Sequence, residues 1–97
     1  AIAAYYQALA LAAPSPIVEI NRAVAVGMAF GPAQGLAIAD ALTDEPRLRQ
    51  SHLLPTVRGD LLAKLGRAAE ARMEFRRAAE LAGNERERAL LLARAEA

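Results

Sequence analysis

The stretch Gly59–Ala78, GDLLAKLGRAAEARMEFRRA, decides the fold of this chain. Gly59, Leu62 and Gly66 precede Ala71, Phe75 and Ala78, so small residues recur at helical spacing on both sides of a glycine turn. Small residues let two helix backbones approach, and a large neighbour such as Phe75 fills the space beside them. The pattern also echoes upstream. Stepping back 36 positions from Ala71, Phe75 and Ala78 gives Gly35, Ala39 and Leu42, and a further 34 gives Ala1, Tyr5 and Ala8. The same 36-residue step pairs Arg22 with Arg58, Ala23 with Gly59 and Val26 with Leu62. Each unit therefore reads as helix, tight turn, helix, and a period in this range is the mark of stacked helical repeats.

Punctuation predicts six helices, at about 1–12, 16–30, 32–43, 52–65, 67–82 and 84–95. Ser15 stands where an N-cap belongs, Pro16 at the first helical position, and Glu19 near the positive end of the helix dipole. Gly31-Pro32 combines a residue that tolerates left-handed backbone with one that restarts a helix. Thr43–Ser51 is the longest connection, broken by Pro46, and is predicted to be the mobile element, with a short turn at 47–50. Gly83 is placed to close the fifth helix, and Asn84 to cap the sixth while Glu87 reaches back in a capping box. The 3.6-residue period assigns Leu9, Ile20, Val24, Leu36, Leu42, Leu61, Leu62, Leu65, Phe75, Leu81, Leu91 and Leu92 to the core, with Ala23, Ala39, Gly59, Ala71 and Ala78 at tight crossings.

Composition narrows the class. The 97 residues suit one domain with a single core. Apolar residues form 55% of the chain and aromatics only 4%, which describes closely packed Ala- and Leu-rich helices rather than strands. There is no cysteine, so disulfides and thiolate metal sites are excluded, and a reducing cytoplasm is the fitting compartment. Ala23–Ala33, the longest apolar run, is too short to span a bilayer and contains Gly27, Gly31 and Pro32. Ala1–Ala13 lacks the basic leader of a signal peptide. Ala1 stands where an initiator Met would, which points to an excised fragment. The net charge of +1 gives no general attraction to nucleic acid, although residues 1–46 carry about −3 and residues 47–97 about +4.

No catalytic constellation is present. His52 is the single histidine, and no Ser or Thr has a base at motif spacing. Its position before a helix suits a cap or surface residue. Gly27, Gly31 and Gly35 recur every four residues without the Lys-Ser/Thr pair of a phosphate loop. Glu70 and Glu74, and Glu85 and Glu87, stand among arginines and read as salt-bridged helix faces. Arg72, Arg76 and Arg77 are interleaved with Glu70, Glu74 and Glu80, which leaves a weak field for DNA. No cofactor, metal or small-molecule substrate is expected. Arg22 and Arg58 repeat inside otherwise apolar helices, where each must find a partner or reach water; an internal salt bridge is the favoured reading, an intermolecular contact the other.

The run Gly59, Leu62, Gly66, Ala71, Phe75, Ala78 resembles the tetratricopeptide repeat. The family's Trp position falls on Pro55 and its closing Pro on Gly83, and the middle unit keeps Ala23, Val26, Gly35 and Ala39. The resemblance implies an all-α stack of helical hairpins with right-handed superhelical twist over residues 1–97: a half repeat at 1–14, a degenerate repeat at 15–51, a repeat at 52–83 and a capping helix at 84–97. A wider resemblance, carried by Ser15–Leu42 and His52–Leu91 with their NRAVAV, LLP-x-x-R-x-D-L-L and LG-R-x-x-EA segments, is to the C-terminal helical extension of one group of extracytoplasmic-function RNA polymerase sigma factors. It implies a non-catalytic cytoplasmic domain that modulates transcription initiation by contacting the sigma domains or the polymerase core, meeting DNA only through those other domains. An independent tetratricopeptide adaptor with a separate peptide ligand is the alternative. In either case the first helices of each pair line the expected groove, drawing on Ile17, Asn21, Arg22, Val24 and Met28, and on Leu53, Thr56, Arg58, Asp60 and Lys64.

Overall fold

The computed structural model describes residues 15–96, and these are helical, with no strand among them. The order is α1 (Pro16–Phe30), α2 (Pro32–Asp40), a short 3-10 turn (Pro46–Leu48), α3 (Leu53–Lys64), α4 (Ala68–Leu81) and α5 (Glu85–Glu96). The described residues thus hold five helices. The first predicted helix, at 1–12, and Leu9 with it, lies outside the described residues. Helices adjacent in sequence are adjacent in space: α1 packs on α2, α3 on α4, α5 on α4, and the α2–α3 contact joins the two hairpins.

Two glycines set the hairpin turns. Gly31 sits at φ 117°, and its N–H donates to the Gly27 carbonyl at 3.1 Å before Pro32 opens α2. Gly66 sits at φ 78°. Around it, Gly66 N–H donates to Ala63 O and Arg67 N–H to Leu62 O, both at 3.0 Å, the paired bonds of a Schellman ending. Both φ values lie where a side chain would strain the backbone, which is why glycine occupies these positions.

Other helix ends depart from expectation. Ser15 has the extended backbone of an N-cap, yet its side chain makes no capping bond. α2 stops at Asp40 rather than 43, because the Thr43 hydroxyl and N–H both turn back to the Asp40 carbonyl, at 2.9 and 3.2 Å. α4 closes on extended Ala82 without a left-handed glycine at Gly83. Asn84 does cap α5, its Oδ1 accepting from Glu87 N–H at 2.8 Å.

The core runs the length of the described stack. Ile20, Leu36, Leu61, Leu62, Phe75 and Leu91 are buried, as are the small crossing residues Ala23, Ala39, Gly59, Ala71 and Ala78. Leu42 and Leu65 pack half-buried against it, and Leu81 is half-buried. Val24 and Leu92 do not join, at 39% and 38% exposure: each lies at the edge of its helix's buried face, next to Ile20 and to Leu91 and Ala95 respectively. In their place Leu48 and Leu54 are buried. Leu48 alters the reading of Thr43–Ser51, since a leucine held in the core by the 3-10 turn anchors the segment predicted to be mobile.

The hairpins use different close approaches. A β-carbon added at Gly59 would lie 2.8–3.0 Å from the Phe75 ring. One added at Gly35 would lie 2.6 Å from the Ala23 carbonyl oxygen and 2.9 Å from Gly27 Cα, so α1 and α2 meet backbone to backbone. Such contacts leave room for no other residue without movement.

Candidate functional site

On α1 the residues Ile17, Asn21, Val24 and Met28 fall within one narrow stripe at helical spacing, and all four are exposed. Met28 is 73% exposed. On α3 the corresponding stripe is Leu53, Thr56, Asp60 and Lys64. A shallow cleft of about 30 Å³ lies between the two helices, lined by Val24, Gly27, Met28, Val57, Asp60, Leu61 and Lys64. Four of the expected groove residues therefore converge: Val24 and Met28 supply apolar surface, and Asp60 and Lys64 supply one charge of each sign.

A larger cleft of about 360 Å³ continues on the other flank of α3, against α5, lined by His52, Thr56, Glu87, Leu90, Leu91 and Arg94. Thr56 belongs to this cleft; its hydroxyl donates to the His52 carbonyl at 2.7 Å. Two polar contacts tie α3 to α5 across it. His52 Nε2 lies 2.8 Å from Glu87 Oε1, and Asp60 pairs with Arg94. The Arg94 guanidinium also lies over the Phe75 ring, 4.2 Å from its centroid, a cation–π contact that fixes its plane. Glu87 thus spends its carboxylate on His52 rather than on a capping box, which corrects the expected arrangement. Ile17, Asn21 and Leu53 are exposed but line neither cleft.

Arg22 and Arg58 lie elsewhere. Arg22 turns along its own helix and meets Glu19 Oε2 at 3.0 Å. Arg58 points to the opposite side of α3 from the groove, where it reaches Asp40 Oδ1 at 2.9 Å and Glu74 Oε1 at 3.0 Å. One guanidinium so joins the end of α2, α3 and α4, using the several donors of its planar fork. It borders a separate hollow of about 80 Å³ with Leu48, Arg49, Leu54 and Arg77. The structure brings neither arginine to the α1–α3 cleft.

Two more of the carboxylates noted in the sequence also find cations. Glu70 pairs with Arg67, and Glu85 with Arg88 at 3.4 Å. The Arg67 bond holds the Glu70 carboxyl below its ordinary value, as Arg47 does for Glu45 in the linker. Among the described residues no group of three or more His, Asp or Glu is arranged to hold a metal ion. No described helix is long and apolar enough to cross a membrane. Arg94 and Leu90 were missing from the sequence-based groove. Their signal was the last helix, treated only as a cap although its Glu87 and Arg94 reach His52 at the start of α3 and Asp60 within it.

Comparison with known families and with solved structures returns no match. The chain is similar to an uncharacterized protein of Rhizobium meliloti (strain 1021), 46% identical over 86 residues. The alignment covers 89% of this chain but 20% of the relative, so the chain spans about a fifth of the relative's length.

Proposed function

We propose that this chain is a non-catalytic protein-interaction domain of a bacterial extracytoplasmic-function sigma factor, built as a tetratricopeptide-like stack with right-handed superhelical twist. The observation that carries the reading is the alternation of roles along the stack. α1, α3 and α5, the first helices of successive pairs, border the two clefts, while α2 and α4 spend their small residues and Phe75 on packing. A surface with exposed Val24, Met28 and Leu90, and with Asp60, Lys64 and Arg94 at its edges, suits the apolar face of a partner helix. The greater length of the relative, of which the alignment covers 20%, is in keeping with a module carried on a larger chain.

In this reading the partners are the sigma domains of the same chain or the RNA polymerase core, DNA is met only through them, and the compartment is the cytoplasm. The domain tunes initiation by holding those partners in one arrangement. The test is promoter-directed transcription by the full-length factor, intact, lacking this region, or carrying Met28→Glu. Deletion is expected to change transcript yield and Met28→Glu to reproduce much of that change without unfolding the domain. Equal yields from all three would overturn the proposal. A coding sequence without sigma-type helices outside this region would favour the independent adaptor instead.

A further inference from the structure

A fourth cavity lies beside the groove, at the end of the stack where α3 turns into α4. It encloses about 240 Å³ and is lined by Ala63, Ala68, Ala71, Arg72, Phe75 and Arg94. Its walls are three alanine methyls and a ring edge, and its only charged groups are two guanidiniums. Arg94 is held in place by Phe75 and by Asp60, and one carboxylate leaves several of its five N–H donors open. Arg72 is half-buried and makes no ion pair among the described residues.

We propose that this cavity binds the carboxylate side chain of an acidic segment of a partner protein, with Arg72 and Arg94 receiving the carboxylate and the alanine and Phe75 wall receiving the aliphatic stem. The volume sets the size of guest. It far exceeds the roughly 30 Å³ share of one water yet falls short of the roughly 300–1,000 Å³ of sites that enclose whole small molecules. A single side chain fits that range. The charge sets its sign: Arg94 shares its charge with Asp60, but Arg72 adds a second guanidinium with no ion pair among the described residues, so the hollow keeps a surplus positive charge, and planar guanidiniums match a carboxylate in particular. This site meets the α3–α5 cleft only at Arg94, and the proposal does not depend on the sigma-factor reading.

The test is fluorescence-anisotropy binding of a labelled decapeptide built only of Leu and Glu to the 97-residue chain, beside the same peptide with Gln for Glu. Arg72→Gln, whose native side chain makes no ion pair among the described residues, is expected to weaken binding of the acidic peptide about tenfold, the loss of one charge-assisted contact. Arg72→Lys is expected to recover part of that loss, and the Gln peptide to bind no better than Arg72→Gln binds the acidic one. Circular dichroism of each variant establishes that the fold is kept. Equal binding of the two peptides, no effect of Arg72→Gln, or a larger effect of Lys64→Gln in the groove would each overturn the proposal, as would no measurable binding.

Discussion

The two hairpins of this molecule share a register and solve the same packing problem differently. At equivalent positions α1–α2 has Ala23 and Ala39 where α3–α4 has Gly59 and Phe75. In the first the helices meet through backbone, at Gly35 against Ala23 and Gly27; in the second a ring is seated on a glycine. Their arginines differ in the same way. Arg22 is absorbed within α1, whereas Arg58 reaches out to bind α2, α3 and α4 together. The second hairpin therefore carries both the largest core side chain and the joint between hairpins. Close backbone contact needs little beyond small residues, while a seated ring concentrates stability in one residue and its neighbours.

Phe75→Ala tests that concentration most severely. The ring is 3% exposed, fills the Gly59 approach and carries the Arg94 stack, so its removal is expected to cost about 3–5 kcal/mol. Chemical denaturation of the 97-residue chain measures this. No single truncation in the first hairpin, whose buried side chains are Ala23, Ala25, Ala39, Ile20, Val26 and Leu36, is expected to cost more.

Next in size is Gly35→Ala, expected to destabilise by about 1–3 kcal/mol, because the new methyl meets a carbonyl oxygen and a Cα that cannot rotate away. Gly59→Ala is expected to cost less. Its methyl meets the edge of a ring that can shift, and alanine recovers up to about 1 kcal/mol of helix propensity. Combining each with Phe75→Leu separates the two cases. Gly59→Ala and Phe75→Leu should couple, the smaller side chain relieving the clash, whereas Gly35→Ala and Phe75→Leu should add independently. Additivity in both pairs would mean that the ring is not what holds the second hairpin close.

The joint ranks third. Arg58→Ala leaves Glu74, a carboxylate only 15% exposed, without its cation and is expected to cost about 1–2 kcal/mol. Arg22→Ala removes one same-helix pair and is expected to cost about 0.3–0.5 kcal/mol. Thermal denaturation of the two variants side by side reads the difference. The 36-residue repeat makes these arginines look interchangeable, and their stability costs will not be.

That contrast shows what was legible in the sequence and what was not. Turn glycines and prolines declare themselves because their backbone demands are local, and Gly31-Pro32 and Gly66 fall where the spacing predicts. The close contacts of Ala23, Gly59 and Phe75 follow from helical period alone. Phase is harder. Leu90-Leu91-Leu92 offers three apolar choices in a row, and only the neighbour decides that Leu91 goes in while Leu90 and Leu92 stay out. Val24 fits either face of α1 for the same reason. Leu48 gave no periodic signal, since it sits in a three-residue turn between polar residues. At the candidate site, the α1 and α3 stripes were readable from spacing, but Arg94 was not: its partners Asp60 and Phe75 lie 34 and 19 positions away, a distance that only folding closes.

The smallest expected effect concerns the start of each hairpin's second helix, and it depends on acid. α2 begins with Pro32 and has no acidic residue in its first turn. α4 begins with the Arg67–Glu70 pair. The hydrogen bond from Arg67 is the main reason the Glu70 carboxyl is held below its ordinary value of 4.5, with the charges of Arg67 and Arg58 assisting against partial desolvation. A lowered value in the folded state means that the unfolded chain binds more protons as the pH falls past 4.5. The stabilisation is therefore complete above that value and is lost as the pH drops through the lowered one. The pair is half exposed, so screening keeps the effect small. Melting temperatures from pH 6 down to pH 3 should fall less steeply for Glu70→Gln than for the native chain, and amide exchange should place the difference in the first turn of α4. Equal slopes would mean that the ion pair adds nothing to the second hairpin and that its start, like that of α2, depends on the glycine turn alone.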